Sequence, residues 1–227
     1  MNSSVCRRPF PLLLGLVILA TTLSGCDESS DASSRVNGSV HVPAGRAAGP
    51  AETVNGGIDI DADAAVTSAS TVNGRIALGA KATGDSLTTV NGDINVGTGA
   101  RVSGKLDSVN GGIVLGDGAH VGGSLENVNG SIRLSAARVD GGITTVNGNI
   151  DIRGDSHVEQ GIHVQKVDHG LIHFDTHVPR IVIGPGATVS GELRFEREVT
   201  LYISDRATVG TVTGATAIPF SGDSPPN

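Results

Sequence analysis

The stretch from Val109 to Leu125 reads VNGGIVLGDGAHVGGSL, and its pattern decides the fold. Counted from Ile113, its apolar side chains stand at offsets of 0, 2, 6, 8 and 12. Alternating apolar residues in short runs are typical of β-strands, and the glycines between the runs are typical of turns. The stretch therefore predicts three short strands joined by three corners.

The tripeptide that opens this stretch, Val-Asn-Gly, occurs seven times in the chain. Successive copies are about 18–19 residues apart, and a fixed period of this length indicates repeated units that stack on their neighbours. We predict an all-β fold, a single-stranded parallel β-helix (β-solenoid) with about 18–19 residues per coil, about nine coils and a right-handed coil favoured. The alternative is an antiparallel sheet with Asn-Gly hairpin turns. Hairpins, however, would not need the same side chain at the same offset in every unit.

The repeated asparagines are expected at one corner of each coil. We expect the preceding valine to point into the core, and Asn-Gly to accept the positive φ angles of a sharp corner. Stacked amides can also hydrogen-bond to one another along the column. A row of ligand-binding amides is the alternative role. The corner residues are Asn37, Asn55, Asn73, Asn91, Asn110, Asn129 and Asn147.

Composition agrees with stacked coils and disfavours several functions. The 227 residues include four Phe, one Tyr and no Trp, whereas a wide globular core normally uses more large aromatic side chains. The 23 acidic residues outnumber the 16 basic ones, which disfavours nucleic acid as a partner. Outward positions of successive coils do not bring two acids together, as carbohydrate-cleaving enzymes require. The sequence therefore does not predict an enzyme.

The N-terminus has the features of an export signal. Two basic residues, Arg7 and Arg8, precede an apolar stretch that ends in Leu-Ser-Gly-Cys. This tetrapeptide resembles a bacterial lipobox, whose cysteine is acylated and becomes the mature N-terminus. The resemblance implies a lipoprotein signal peptide over 1–25 and a palmitate-bearing Cys26. The mature protein would then be a membrane lipoprotein facing the periplasm, with the choice between inner and outer membrane left open.

The remaining segments are assigned by their composition. Residues 26–34 are polar and acidic and are expected to form a lipidated tether. The solenoid domain is expected over 35–217, with a degenerate first unit over 35–52 acting as a cap. Residues 218–227, which include three prolines, are expected to form a flexible tail.

One segment breaks the repeat. The residue equivalent to Ile150 in the next coil is Ile181, which is well beyond one period, so we predict an irregular insertion at about 163–178. Its two apolar stretches, 161–165 and 171–175, are predicted to pair as a hairpin that projects from the column.

The insertion region is rich in histidine, because five of the seven histidines lie in the segment from His157 to His177. If the hairpin forms, two imidazoles share one face and the other groups approach them, which is a plausible site for Zn. The alternative is that these histidines face solvent with no common centre. The candidate ligands are His163, His169, His173, Asp175 and His177.

Two resemblances bear on function. The stretch from Ile181 to Leu193, IVIGPGATVSGEL, resembles the coil of bactofilins, which are polymer-forming bacterial β-helix proteins. The Thr-Val-Asn-Gly-x-Ile units resemble the adhesin-type β-solenoids of bacterial envelope proteins, and the likeness spans about residues 54–214. Typical bactofilins are cytoplasmic, whereas this chain carries an export signal. The Ile-Gly-x-x-Ala-x-Val pattern is also similar to hexapeptide acyltransferases, but the longer coils of this chain break their strict hexad.

These observations predict an exported, lipid-anchored β-solenoid with a structural or interaction role, polymer-forming or adhesin-like, at the bacterial cell envelope. The expected partners are the membrane, through the N-terminal lipid, and a second copy of the chain bound end to end. One alternative is a metal- or small-ligand-binding module built on the histidine-rich insertion. The other is an acyltransferase-like enzyme.

Overall fold

The computed structural model describes residues 33–166 and 177–226 of the chain. Within these ranges, 29 strands form three parallel sheets that wind into stacked coils. The parallel β-solenoid is therefore confirmed, with ten coils where about nine were predicted. No helix in these ranges is long and apolar enough to cross a membrane.

Each of the first nine coils contributes one strand to each sheet, the tenth contributes one each to sheets 1 and 2, and the strands are numbered in chain order. Sheet 1 consists of β1 (Ser33–Asn37), β4 (Ala51–Asn55), β7 (Ser68–Asn73), β10 (Ser86–Asn91), β13 (Leu106–Asn110), β16 (Leu125–Asn129), β19 (Ile143–Thr145), β22 (Ile162–Val164), β25 (Leu193–Phe195) and β28 (Val212–Thr213). Sheet 2 consists of β2 (Val40–Val42), β5 (Ile58–Ile60), β8 (Ile76–Leu78), β11 (Ile94–Val96), β14 (Ile113–Leu115), β17 (Ile132–Ser135), β20 (Ile150–Arg153), β23 (Arg180–Ile183), β26 (Thr200–Ser204) and β29 (Ala217–Phe220). Sheet 3 consists of β3 (Ala47–Ala48), β6 (Ala65–Val66), β9 (Thr83–Gly84), β12 (Arg101–Val102), β15 (His120–Val121), β18 (Arg138–Val139), β21 (His157–Val158), β24 (Thr188–Val189) and β27 (Thr208–Val209).

The core is a narrow column of aliphatic side chains stacked in register. Ile94 of β11, for example, pairs with Ile76 on one side and with Ile113 on the other, and all three are fully buried. Full burial of one such side chain contributes about 1.5–3 kcal/mol. Because each side chain packs against its equivalents above and below, the same apolar offsets recur in every coil.

Positive φ angles occur at the predicted corner, but on the glycines and not on the asparagines: Gly38 has φ 108° and Gly130 has φ 144°. None of the repeated asparagines in the described ranges has a positive φ; six of them are instead the last residue of an extended strand of sheet 1. A larger set of positive φ angles lies between sheets 2 and 3, once per coil over eight coils. Five of these positions are glycine, but three are occupied by other residues: Asp63 (φ 58°), Lys81 (φ 58°) and Ala136 (φ 44°).

Both ends of the domain extend beyond their predicted limits. At the N-terminal end, β1 begins at Ser33, inside the predicted tether, and the first unit forms a complete coil with three strands. Its prolines do not disturb the strands, because Pro43 and Pro50 lie between them.

At the C-terminal end, the predicted tail at 218–227 is wrong in its first residues. Ala217–Phe220 forms β29, which pairs with β26, and the side chain of Phe220 is buried. The chain then continues along the preceding coil, because Ser221 donates to Asp205 (2.8 Å) and Asp223 pairs with Arg206 (3.0 Å). Proline lacks the N–H that a further strand would need, so Pro219 in the edge strand disfavours growth of the sheet.

The insertion begins later than predicted. Ile162–Val164 is a regular strand of sheet 1, paired in parallel with β19 and β25, and so it is not one arm of a projecting hairpin. The extra residues follow this strand and precede β23, at the corner that Val-Asn-Gly occupies in earlier coils. The second predicted arm, 171–175, lies outside the described residues.

Candidate functional site

The asparagine corner forms an unbroken column of amide hydrogen bonds, here called the asparagine ladder. Each Asn Nδ2 donates to the Oδ1 of the asparagine one coil earlier, with donor–acceptor distances of 2.9–3.0 Å. Six such bonds join the seven residues Asn37, Asn55, Asn73, Asn91, Asn110, Asn129 and Asn147. The amide groups thus satisfy one another, as in other stacked β structures.

The repeated valines point outward, contrary to the prediction. Val36, Val72 and Val90 are exposed, and of the seven only Val146 is buried, at 6% exposure. The buried position at this corner belongs to the residue just before each valine. That position is polar in six successive coils: Thr53, Thr71, Thr89, Ser108, Asn127 and Thr145.

This buried polar column is a second ladder, which we did not predict from the sequence. Thr71 Oγ1 donates to the carbonyl of Gly56 (2.9 Å), and Thr89 Oγ1 makes the equivalent bond to Gly74 (3.0 Å). Buried hydroxyls need such partners. The signal was present in the repeat itself, since a small polar residue precedes each of these valines.

In six of the seven tripeptides, all except the first, the glycine is required by close approach of successive coils. A Cβ atom at Gly74 would overlap the carbonyl oxygen of Gly56, and one at Gly92 would overlap that of Gly74. The corner backbones therefore stack too closely for any side chain at this position.

The asparagine ladder ends where the insertion begins, and Arg197 closes it. This guanidinium donates to Asn147 Oδ1 and to the carbonyl of Val146 (3.0 Å). It also donates to the carbonyl of His177 (2.9 Å), which follows the insertion. Arg197 lies 50 residues from Asn147, and no local pattern marked it as a ladder terminus.

The described histidines do not converge on one centre. His163 Nε2 lies 3.0 Å from Glu196 Oε1 on the outer face of sheet 1, whereas His177 Nε2 lies 3.2 Å from Asn149 Oδ1 at the corner. His157 lies on sheet 3, 3.1 Å from Glu159. No group of three or more metal-binding side chains occurs in the described ranges. The other predicted ligands, His169, His173 and Asp175, lie outside the described residues, and so does Cys26.

The base of the insertion is held by charged groups. Glu196 accepts from the backbone N–H of Lys166 (3.4 Å) and pairs with Arg194 (2.9 Å) in addition to His163. The contact with His163 lowers the pKa of Glu196, assisted by Lys166 and Arg194, although burial acts in the opposite direction. Glu196 is therefore a carboxylate at neutral pH.

Sheet 3 carries a continuous chain of charged and hydrogen-bonding side chains on its outer face, here called the sheet 3 network. Asp140 accepts from His120 (2.8 Å) and from Arg138 (2.7 Å), and Arg138 also pairs with Glu159 (2.7 Å). The hydrogen bond from His120, with that from Arg138, lowers the pKa of Asp140. The network connects four successive coils, because Arg101 extends it to one side and His157 to the other.

Comparisons with known proteins do not assign the chain to a family. No protein-family model matches the chain, and no curated protein or solved structure matches it. The described surface is therefore interpreted from its own geometry. It consists of rigid, flat faces with ordered polar columns, which suits binding or structural support.

Proposed function

We propose that this protein is an exported, lipid-anchored scaffold that acts through its outer faces, in a structural or interaction role at the bacterial cell envelope. The observation that carries the proposal is the unbroken stack of ten coils, whose outward residues are held in register from one coil to the next. At about 4.8 Å per coil, the column is about 45 Å long. A rigid rod of this length fits display or spacing from a membrane surface.

The anchoring part of the proposal rests on the sequence of residues 1–26. Its test is to express the full chain in a bacterium with an alkyne analogue of palmitate, beside Cys26→Ser. We expect label and membrane fractionation for the wild type, and neither for the variant. A matched control, Cys6→Ser, should leave both unchanged, because Cys6 lies within the predicted signal peptide. Equal labelling of wild type and Cys26→Ser would refute lipid attachment at this residue.

Between the two forms of the proposed role, the fold supports an adhesin-like column more than an end-to-end polymer. Pro219 lies in the terminal strand of sheet 2, where it has no N–H to offer a further strand of that sheet. Electron microscopy of the non-lipidated domain at high concentration tests this. Single columns are expected, and filaments would favour the polymer.

The interaction part needs defined targets. We propose to measure co-sedimentation of the non-lipidated domain with purified peptidoglycan sacculi and, separately, with vesicles of envelope lipids. Retention by one target and not by the other is expected of a specific envelope scaffold. No retention by either would count against an interaction role with these components and leave the fold unaffected.

A further inference from the structure

The seven Asn-Gly dipeptides make this chain susceptible to spontaneous deamidation of asparagine. In such a dipeptide, the deprotonated glycine nitrogen can attack the asparagine Cγ, since glycine has no side chain to hinder the approach. The new N–Cγ bond closes a succinimide ring as the Nδ2 group takes up a proton from water and leaves as ammonia. Water then opens the ring to aspartate or isoaspartate. The net reaction consumes one water, releases one ammonia and needs no other reactant.

The fold restrains the attacking nitrogen in five of the seven dipeptides. There the glycine N–H donates to the backbone carbonyl of the asparagine one coil later, at 2.9–3.1 Å. A held N–H resists both deprotonation and the rotation that ring closure requires. The five bonds run from Gly38 to Asn55, Gly56 to Asn73, Gly74 to Asn91, Gly92 to Asn110 and Gly111 to Asn129.

The hydrogen bonding of the glycine N–H differs in the two dipeptides nearest the insertion, Asn129-Gly130 and Asn147-Gly148. β19 ends at Thr145, two residues before Asn147, whereas the corresponding earlier strands all end at their asparagine. In the described ranges, the N–H of Gly130 donates to no acceptor. The equivalent acceptor in the earlier coils is the backbone carbonyl of the next asparagine, which here would be Asn147. The N–H of Gly148 is instead held within its own coil, by Thr145 Oγ1 at 3.0 Å.

We propose that the Asn129-Gly130 dipeptide is a site of spontaneous deamidation in the folded protein, and that the other six are protected by their held glycine N–H groups. Asn129 is exposed to the water that the second step consumes. Its amide still takes part in the asparagine ladder, as do the amides of the other sites, so the glycine N–H is the feature that differs.

Deamidation here has a structural consequence. Asn129 Nδ2 donates to Asn110 Oδ1, and a carboxylate at position 129 has no proton to donate. Its oxygen would instead face the side-chain oxygen Oδ1 of Asn110. The reaction therefore interrupts the asparagine ladder near its C-terminal end, beside the insertion.

The test is to incubate the folded full chain in mildly alkaline heavy-oxygen water and follow all seven dipeptides by peptide mass spectrometry. The heavy oxygen marks deamidation that occurs during the incubation and not during digestion. We expect Asn129 to react about fivefold faster than the five asparagines whose glycine is held by a neighbouring coil, the ratio given by one net hydrogen bond. In urea, the seven rates should become similar.

Two variants of Thr145 test the cause. Thr145→Val removes the acceptor for the Gly148 N–H and should raise the rate at Asn147 about fivefold, while Thr145→Ser keeps an acceptor and should not. Circular dichroism verifies that each variant is folded, and the comparison within the wild type stands without them. The proposal is overturned if any of those five dipeptides reacts as fast as Asn129 in the folded chain. It is also overturned if folded Thr145→Val leaves the rate at Asn147 unchanged.

Discussion

The substitution Asn127→Thr should stabilise the protein. Asn127 is 3% exposed and stands in the buried column that holds threonine or serine in the neighbouring coils. Its Nδ2 donates to the carbonyl of Gly111 (2.6 Å), but its Oδ1 is buried and accepts no hydrogen bond from the described residues. Threonine at this position would keep a donor for Gly111 and remove the unsatisfied oxygen.

The expected gain follows from the cost of that oxygen. A buried polar group without a partner costs about 1–3 kcal/mol, whereas the bond to Gly111 is retained. We therefore expect the free energy of unfolding to rise by about 1–2 kcal/mol, and the midpoint of thermal unfolding by about 2–4 °C for each kcal/mol. Threonine also has the higher intrinsic preference for strands, and the size of that effect must be measured separately.

Urea unfolding of the non-lipidated domain measures the gain as a higher midpoint at an unchanged slope. The matched control is Ser108→Thr in the preceding coil, where the hydroxyl already donates to Gly92 and no unsatisfied oxygen is removed. The control should shift the midpoint less than Asn127→Thr does. A midpoint for Asn127→Thr that is equal to or below the wild type would show that the buried amide oxygen carries no such cost.

Other substitutions test the remaining features of the corners and of sheet 3. Asn91→Ala removes two bonds of the asparagine ladder and should lower stability by about 1–2 kcal/mol, measured as a lower thermal midpoint. Gly92→Ala places a Cβ against the carbonyl of Gly74 and should destabilise the domain by more than Asn91→Ala does, read in the same melts. Ala136→Gly removes the Cβ strain of a left-handed φ and should raise the free energy of unfolding by about 1 kcal/mol, measured as a higher midpoint of urea unfolding. Because folding lowers the pKa of Asp140, its carboxylate stabilises the fold at pH values above the ordinary pKa of 3.8. This contribution is lost as the pH falls through the lowered pKa. Asp140→Asn should therefore be less stable than the wild type at neutral pH and equal to it in strong acid, and an equal difference at both pH values would contradict this.

Much of the fold was predictable because the solenoid is a local repeat. The offsets of Ile94, Val96, Ala100, Val102 and Leu106 specify strands and corners, and the same offsets in neighbouring coils specify parallel stacking. The asparagine ladder could be expected for the same reason, since equivalent side chains in stacked coils lie directly above one another.

The histidine-rich segment shows that closeness in the sequence differs from closeness in this fold. His157 and His163 are close together in the sequence, but they do not share a face. The chain turns a corner between them, so one lies on sheet 3 and the other on sheet 1. Each then pairs with a carboxylate on its own face, Glu159 or Glu196.

The direction of the repeated valines could have been predicted from the same alternation. Leu87 and Thr89 lie two residues apart on β10 and are both fully buried, so Val90, next to Thr89, faces outward. Only the partner of the buried hydroxyl depends on the tertiary structure, because Thr89 Oγ1 donates to the carbonyl of Gly74 in the preceding coil.

The sequence by itself determined the period, the parallel stacking and the ladder of asparagines, because each depends on residues one coil apart. Tertiary structure alone decided how the column ends and which faces carry charge. Arg197 reaches Asn147 across 50 residues, and Pro219 lies in the last strand of its sheet. These contacts depend on where the insertion leaves the stack and where the final coil closes, and no repeat encodes either position.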